Sequence, residues 1–219
     1  MTDKIHEYHT EGITVQYNLK RCIHAEACVS RLRQVFDPDK RPWIQPEHAS
    51  ADQIAEAISY CPSGALHSAR HDEDAAEAIP MENRVSIQAN GPLYLRGDLD
   101  LMLVDGDPLT ETRLALCRCG ASNNKPFCDN AHLDIHFEHE GVVSPEKYQI
   151  SEIGTGGKLV ITPTRNGSVK LEGNFEITDA AGNIVYRGTK TWVCRCGGSG
   201  NKPFCDGSHK QVGLVADGK

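Results

Sequence analysis

The sequence predicts an α+β fold: a small N-terminal α+β domain, then a duplicated unit built as an antiparallel β assembly with short cysteine-bearing loops. Three observations carry this. Residues 13–19 (ITVQYNL) alternate as a half-buried strand does, and Ala51–Ser59 reads as a helix. Residues 114–132 (LALCRCGASNNKPFCDNAH) recur as residues 191–209 (TWVCRCGGSGNKPFCDGSH), with every cysteine and the closing histidine displaced by 77 positions. The nine cysteines fall in three groups of three, at 22, 28 and 61, at 117, 119 and 128, and at 194, 196 and 205.

Each element has a local cause. Ser50 is placed as an N-cap and Gln53 at the reciprocal capping-box position, so the predicted helix starts at Ala51 and stops just before Cys61-Pro62. A unit of about 70 residues is small enough that a bound metal centre would contribute to its stability. Residues 67–83 (HSARHDEDAAEAIPMEN) are acidic and Ala-rich and read as an exposed linker or solvated helix. The domain limits follow: 1–70 for the N-terminal domain, 71–83 for the linker, 84–140 for the first repeat and 141–219 for the second.

Within the repeats, short β-branched or alternating pieces read as strands at 85–87, 93–95 and 99–103, and at 159–162, 169–171, 175–178, 184–186 and 191–193. Asn90-Gly91, Asp105-Gly106, Asn166-Gly167 and Gly182-Asn183 supply the turns. The duplication reaches upstream of the cysteines, since GPLYLRGDLD at 91–100 parallels GSVKLEGNFE at 167–176. Strands this short are weak alone, so the two repeats are expected to pack together or exchange strands within one chain.

Composition narrows the function. Thirty acidic residues against 23 basic ones, a net charge of -7, argue against a nucleic-acid or anionic-membrane surface, which calls for clustered Lys and Arg. The opening MTDKIHEYHT has no apolar core of signal-peptide length, and no run approaches the roughly 20 apolar residues of a membrane helix. The protein is expected to be soluble and cytoplasmic, where thiols stay reduced, so the cysteines read as metal ligands rather than disulfides.

Each repeat presents Cys-x-Cys, eight residues, Cys, three residues, His: Cys117, Cys119, Cys128 and His132, then Cys194, Cys196, Cys205 and His209. Thiolates select zinc or iron-sulfur clusters; structural zinc more often uses Cys-x2-4-Cys knuckles, and ligand counting alone leaves both open. The residues between the ligands resemble the CDGSH iron-sulfur domain of the mitoNEET type, and Cys205-Asp206-Gly207-Ser208-His209 spells its name. The resemblance implies a 2Fe-2S cluster in each repeat. Cys117 and Cys119 would hold one iron and Cys128 with His132 the other; Cys194 and Cys196, then Cys205 and His209, would repeat this. The first copy departs in having Asn130 and Ala131 for Gly and Ser, with all four ligand positions intact.

Neighbouring residues have expected roles. Asp129 and Asp206 are placed to cap free N–H groups at a helix start. Ser122 and Ser199 are placed either to donate hydrogen bonds to cluster sulfurs or to shape the loop, and Lys125 and Lys202 lie near a negatively charged site. A neutral imidazole among thiolates raises a cluster's reduction potential, and its protonation as pH falls would make the cluster labile.

In the N-terminal domain, Cys22 and Cys28 form a Cys-x5-Cys, with Cys61-Pro62 far downstream and Ala25 between the first two. Residues 17–66 resemble the divergent single-cluster ferredoxin-like domain that accompanies CDGSH motifs in bacterial proteins. Three cysteines suit a 3Fe-4S cluster; a 4Fe-4S cluster needs a further ligand such as His24, Glu26 or solvent. The competing reading is a module with buried free cysteines. His6, His9, His48, His67, His71, His136 and His139 show no paired ligand spacing and are expected at the surface.

No phosphate loop, dinucleotide fingerprint or nucleophile–base pair is present, so the protein is expected to be no enzyme by itself. Its expected function is one-electron transfer with a redox partner protein, a reductase or an acceptor. The alternatives are a carrier that hands clusters to an apo iron-sulfur acceptor, a redox or pH sensor, and a structural zinc protein. The internal duplication is expected to supply within one monomeric chain what single-motif relatives achieve as dimers.

Overall fold

The computed structural model describes residues 4–71 and 77–219 and divides the chain into two units, Met1–Ala78 and Ile79–Lys219. In the first, strands β1 (Ile5–His9), β2 (Ile13–Asn18) and β3 (Leu66–Arg70) form an antiparallel sheet in that order, beside helices α1 (Ala27–Arg31) and α2 (Ala51–Ser59). The architecture is α+β, as the sequence predicts.

The capping box forms: Gln53 N–H donates to Ser50 Oγ, and Gln53 Oε1 accepts from Ser50 N–H. Helix α2 buries Ile54, Ala57 and Ile58, spaced at three and four, in one core with Ile13 and Val15 of the alternating strand β2. Complete burial of a side chain such as Ile54 contributes roughly 2 kcal/mol.

The linker expected over 67–83 is corrected at its start. His67, Ser68, Ala69 and Arg70 pair with Gln16, Val15, Thr14 and Ile13, because β2 is the central strand and both its edges need partners. Residues 72–76 of the expected linker lie outside the described residues.

The second unit is one seven-stranded sheet with an internal pseudo-twofold relation. Its strands are β4 (Arg84–Ile87), β5 (Leu93–Leu101), β6 (Leu109–Leu116), β7 (Gln149–Ile150), β8 (Leu159–Pro163), β9 (Val169–Thr178) and β10 (Ile184–Val193). Strands β4, β5 and β6 of the first repeat correspond to β8, β9 and β10 of the second.

The repeats exchange strand edges. Strand β4 pairs antiparallel with its own β5 over 93–96 and parallel with β9 of the other repeat over 176–178. Strand β8 does the reverse, antiparallel with its own β9 over 169–172 and parallel with β5 over 99–101. Both first strands therefore lie between β5 and β9, and neither repeat completes its sheet alone.

The strand pieces read separately from the sequence are continuous. Residues 93–95 and 99–101 belong to one strand, as do 169–171 with 175–178 and 184–186 with 191–193; register shifts at 96/99 and 188/190 interrupt the ladders where the strands bend. Strand β6, not singled out in the sequence, leads directly into Cys117. The apolar faces meet in one core that includes Leu95, Leu99, Ile161, Leu171 and Phe175. No helix among the described residues is long and apolar enough to cross a membrane.

Candidate metal centres

In each repeat the strand before the Cys-x-Cys ends in a tight return loop that brings the third cysteine back beside the first. Cys117 N–H donates to Pro126 O (2.9 Å) and Cys128 N–H to Ala115 O (2.9 Å). The second copy matches, with Cys194 N–H to Pro203 O (2.7 Å) and Cys205 N–H to Trp192 O (2.9 Å). Leu116 and Val193 form isolated bridges with Phe127 and Phe204, which pack against the core.

This backbone gathers the side chains in pairs. Cys117 and Cys119 Sγ lie 3.8 Å apart, and Cys194 and Cys196 Sγ 3.6 Å apart. Cys128 Sγ is 3.5 Å from His132 Nδ1, and Cys205 Sγ 3.4 Å from His209 Nδ1. Among the described residues no three His, Cys, Asp or Glu groups converge as the ligands of one metal ion do.

Backbone N–H groups point at the outer sulfurs: Ala121 to Cys119 (3.5 Å), Asn130 to Cys128 (3.4 Å), Gly198 to Cys196 (3.4 Å) and Gly207 to Cys205 (3.4 Å). Such donors favour thiolate over thiol. A hydrogen bond from Cys117, joined by the Ala121 N–H, pulls Cys119 down to about 6, while burial pushes Cys128 up to about 11. His132 is held below the usual imidazole range, first by burial and then by the Arg118 guanidinium. The Asn130 substitution is accommodated because asparagine tolerates the left-handed backbone, φ 71°, that Gly207 adopts in the second copy.

The aspartates act as expected: Asp129 Oδ1 accepts from Ala131 N–H at the start of helix α3 (Ala131–Asp134), and Asp206 Oδ1 from Ser208 N–H (both 3.0 Å). Each also ties down its loop, through Asn123 N–H or Gly200 N–H. These hydrogen bonds, from the Ser208 hydroxyl first, hold Asp206 well below the usual carboxylate range.

The serines follow the loop-shaping alternative. Ser122 and Ser199 are buried and donate to Phe127 O and Phe204 O (both 2.7 Å), which takes their protons away from the sulfurs. Lys125 and Lys202 reach back to the carbonyls of Ser122 and Ser199.

The arginine inside each Cys-Arg-Cys was not recognised in the sequence, although it stands in both copies. Arg118 and Arg195 are each 1% exposed. Arg118 donates to Gly91 O, Gln88 O and His139 O, and Arg195 to Gly167 O, Thr164 O and Asp217 O. Each thereby clamps the motif to the hairpin upstream.

His139 is accordingly not a plain surface residue, since its half-buried ring meets Arg118 Nη1 at 2.9 Å. His6 and His67 are also half-buried, whereas His9, His48, His71 and His136 are exposed.

The two motifs meet. Cys119 and Cys196 form an antiparallel bridge, and a Cβ at Gly120 would lie 2.5 Å from Cys196 O, with the reciprocal clash at Gly197 against Cys119 O. Only glycine fits at either place, at φ 86° and 76°.

In the first unit Cys22 follows a 3-10 turn, Cys28 lies on α1 and Cys61 follows α2; all three line one cavity of about 550 Å³. His24 and Glu26 line it too, both with left-handed backbone, φ 49° and 56°, as the 22–28 loop curls around it. Burial first, then the neighbouring Cys61 thiol, pushes Cys28 up to about 11. Burial and a hydrogen bond with Cys22 push Tyr17 above the usual phenol range. Charged metal in this cavity would reverse that logic for the thiols, because a coordinated cysteine is deprotonated.

Thiol and imidazole donors paired on two return loops, with three further thiols around a separate cavity, define a metal-binding protein. Residues 90–133 and 166–210 match the iron-binding zinc finger CDGSH type, and residues 8–71 match the divergent 4Fe-4S mono-cluster family. The chain belongs to the iron-sulfur proteins that join a divergent 4Fe-4S mono-cluster domain to two CDGSH-type iron-binding units. The chain is similar to the uncharacterized protein YjdI of Escherichia coli K12 and to the protein of that name in E. coli O157:H7. Each is 36% identical over 59 residues, which is 27% of this chain and 78% of the relative.

Proposed function

We propose that the chain is a one-electron carrier with two 2Fe-2S clusters, each held by three cysteines and one histidine, and one cubane-type cluster in a ferredoxin-like N-terminal domain. The observation that carries this reading is the pairing of donors. A tetrahedral zinc ion draws four donors to one point, whereas a 2Fe-2S cluster takes two on each iron. The 3.4–3.8 Å pairs favour the second arrangement.

Cys117 and Cys119 then hold one iron of the first cluster and Cys128 with His132 the other; Cys194, Cys196, Cys205 and His209 repeat this. At the N-terminal centre Cys22, Cys28 and Cys61 are the ligands. The match to a 4Fe-4S family, with His24 and Glu26 on the same cavity wall, favours 4Fe-4S over 3Fe-4S. The protein acts without catalysing a reaction of its own, in the cytoplasm, as a monomer serving a reductase or an acceptor. A second reading, handover of clusters to an apo acceptor, is favoured by the partial exposure of His132 and His209, since an accessible neutral ligand is the easiest to displace.

Anaerobic purification with iron and sulfide analysis tests the proposal. The expected product is red-brown, bleaches on reduction and carries about eight irons, against about seven for a 3Fe-4S centre. A colourless protein loaded with zinc overturns it. Rapid electron exchange with a ferredoxin reductase supports the carrier of electrons, and cluster transfer to an apo-ferredoxin supports the second reading.

A further inference from the structure

His139 straps the segment after the first motif to the hairpin upstream. Its backbone pairs with Asn90 in both directions: Asn90 N–H donates to His139 O (2.9 Å), and His139 N–H donates to Asn90 Oδ1 (2.7 Å). The side chain adds a second layer, with Nδ1 lying 2.9 Å from Arg118 Nη1 and accepting from Gly141 N–H at 3.0 Å. A guanidinium and a backbone amide only donate, so this nitrogen is an acceptor and the proton of the neutral ring sits on Nε2. Gly141 is itself closely held: a Cβ there would meet Ile87 Cγ2 at 2.9 Å, and Ala180 N–H donates to its carbonyl at 3.1 Å.

The second repeat builds the same strap without the imidazole. Asn166 N–H donates to Ala216 O (2.9 Å) and Ala216 N–H to Asn166 Oδ1 (3.0 Å), and Arg195 reaches Asp217 O much as Arg118 reaches His139 O. Alanine offers nothing that titrates. One chain therefore carries a strap with an ionisable acceptor and a strap without one.

We infer that His139 is an acid-released latch on the first motif: its Nδ1 closes the strap while unprotonated, and a proton there opens it. The protonated nitrogen is a donor facing two donors and part of a cation facing the Arg118 guanidinium, so both hydrogen bonds are lost together. Because Arg118 also holds Gly91 O and Gln88 O, opening loosens the clamp on the first motif and leaves the second in place. The latch belongs to the folded loops and does not depend on which metal the motif holds.

The groups around the ring act in the same direction. Arg118 comes from the Cys-Arg-Cys loop and Lys202 acts on the ring from the second motif, both positive, while residues 88–91 of the facing hairpin carry no charge. Asp179, in the turn packed on Gly141, is taken up by Asn183 and the Ala181 N–H, and Glu138 and Glu140 on the strap itself are exposed. Burial first, then Arg118 and Lys202, hold His139 below the usual imidazole value of 6.5. A histidine depressed in this way binds fewer protons in the folded chain than in the unfolded one. Its contribution to stability is therefore present above 6.5 and lost as pH falls through the folded value.

Hydrogen–deuterium exchange of the purified full chain tests this, read by mass spectrometry at about pH 7.5 and about pH 5.5 and corrected for the intrinsic pH dependence of exchange. Protection of the Asn90, His139 and Gly141 amides is expected to fall about tenfold at the lower pH, and that of Asn166 and Ala216 to stay in place. His139→Asn keeps an acceptor in the same position and takes no proton, so its strap is expected to stay protected at both pH values. His139→Ala is expected to show the low protection at both.

A fall of the same size in the second strap, a fall that persists in His139→Asn, or no fall in the parent chain overturns the inference. Acid acting through His132 instead would persist in the Asn variant, which separates the two histidines. Should that variant not fold, the first strap compared with the second inside the parent chain decides between a latch and general opening in acid.

Discussion

Gly197 sits with its Cα against the carbonyl of Cys119, the mirror image of Gly120 against Cys196, so the two cysteine loops touch through backbone with no side chain between them. Gly197→Ala meets two penalties. The left-handed backbone disfavours alanine by about 1–2 kcal/mol, and the new methyl overlaps a carbonyl that cannot move without shifting a ligand. Gly182, at φ 89° with nothing within 4 Å of a Cβ, carries the backbone penalty alone. Gly197→Ala should lower the denaturation midpoint of the second unit clearly more than Gly182→Ala and reduce iron retention at both motifs. Equal effects in thermal melts would show that the close approach contributes nothing.

Acid should release the first CDGSH centre only below the ordinary imidazole pKa. Burial holds His132 under its usual 6.5, so the folded protein binds fewer protons there than the unfolded chain. The stability tied to this histidine is present above the unfolded value and is lost as pH falls through it, the direction expected for a depressed histidine. His132→Cys should remove the protonatable ligand, slow loss of visible absorption at mildly acid pH and lower that cluster's potential. Unchanged decay kinetics, followed by absorbance from neutral to mildly acid pH, would falsify this.

The N-terminal centre should be separable from the other two. Cys28→Ser is expected to remove about four irons and leave the absorption of the CDGSH centres unchanged, because the cavity around Cys22, Cys28 and Cys61 lies within the first unit. Iron analysis with electron paramagnetic resonance checks this; loss of all clusters together would refute independent sites.

Helix α2 leads into Cys61 just past its C-cap Tyr60, and its start depends on Ser50. Ser50→Ala removes the acceptor for Gln53 N–H and should destabilise the first unit by about 1 kcal/mol. For a domain of this size that is a fall of roughly 4–8 °C in its melting temperature, readable by calorimetry. A shift below about 1 °C would mean the cap is not needed.

Much of the site was legible in the sequence because its chemistry is local. A repeated Cys-x-Cys with a third cysteine and a histidine at fixed distance puts four donors on one loop, and the Ser50–Gln53 box marked a helix start from four adjacent residues. The strands were legible as pieces only. Bulges at 96/99 and 188/190 break the alternation of β5 and β10, and residues 67–70 of strand β3 run straight into an acidic, Ala-rich stretch that reads as linker. Ser122 shows the limit of local inference. Its position beside the ligands suited either a sulfur donor or a loop brace, and the loop brought Phe127 O within 2.7 Å of it.

The sequence by itself determined the donor set, the duplication and the α+β class, because spacing, repetition and periodicity are properties of a chain read in one dimension. Only the tertiary structure decided which repeat each residue serves. Strands β4 and β8 complete the opposite sheet, and Cys119 lies against Cys196. Such partners are chosen by the closure of two incomplete sheets around one core, and no local pattern records which surfaces that closure brings together.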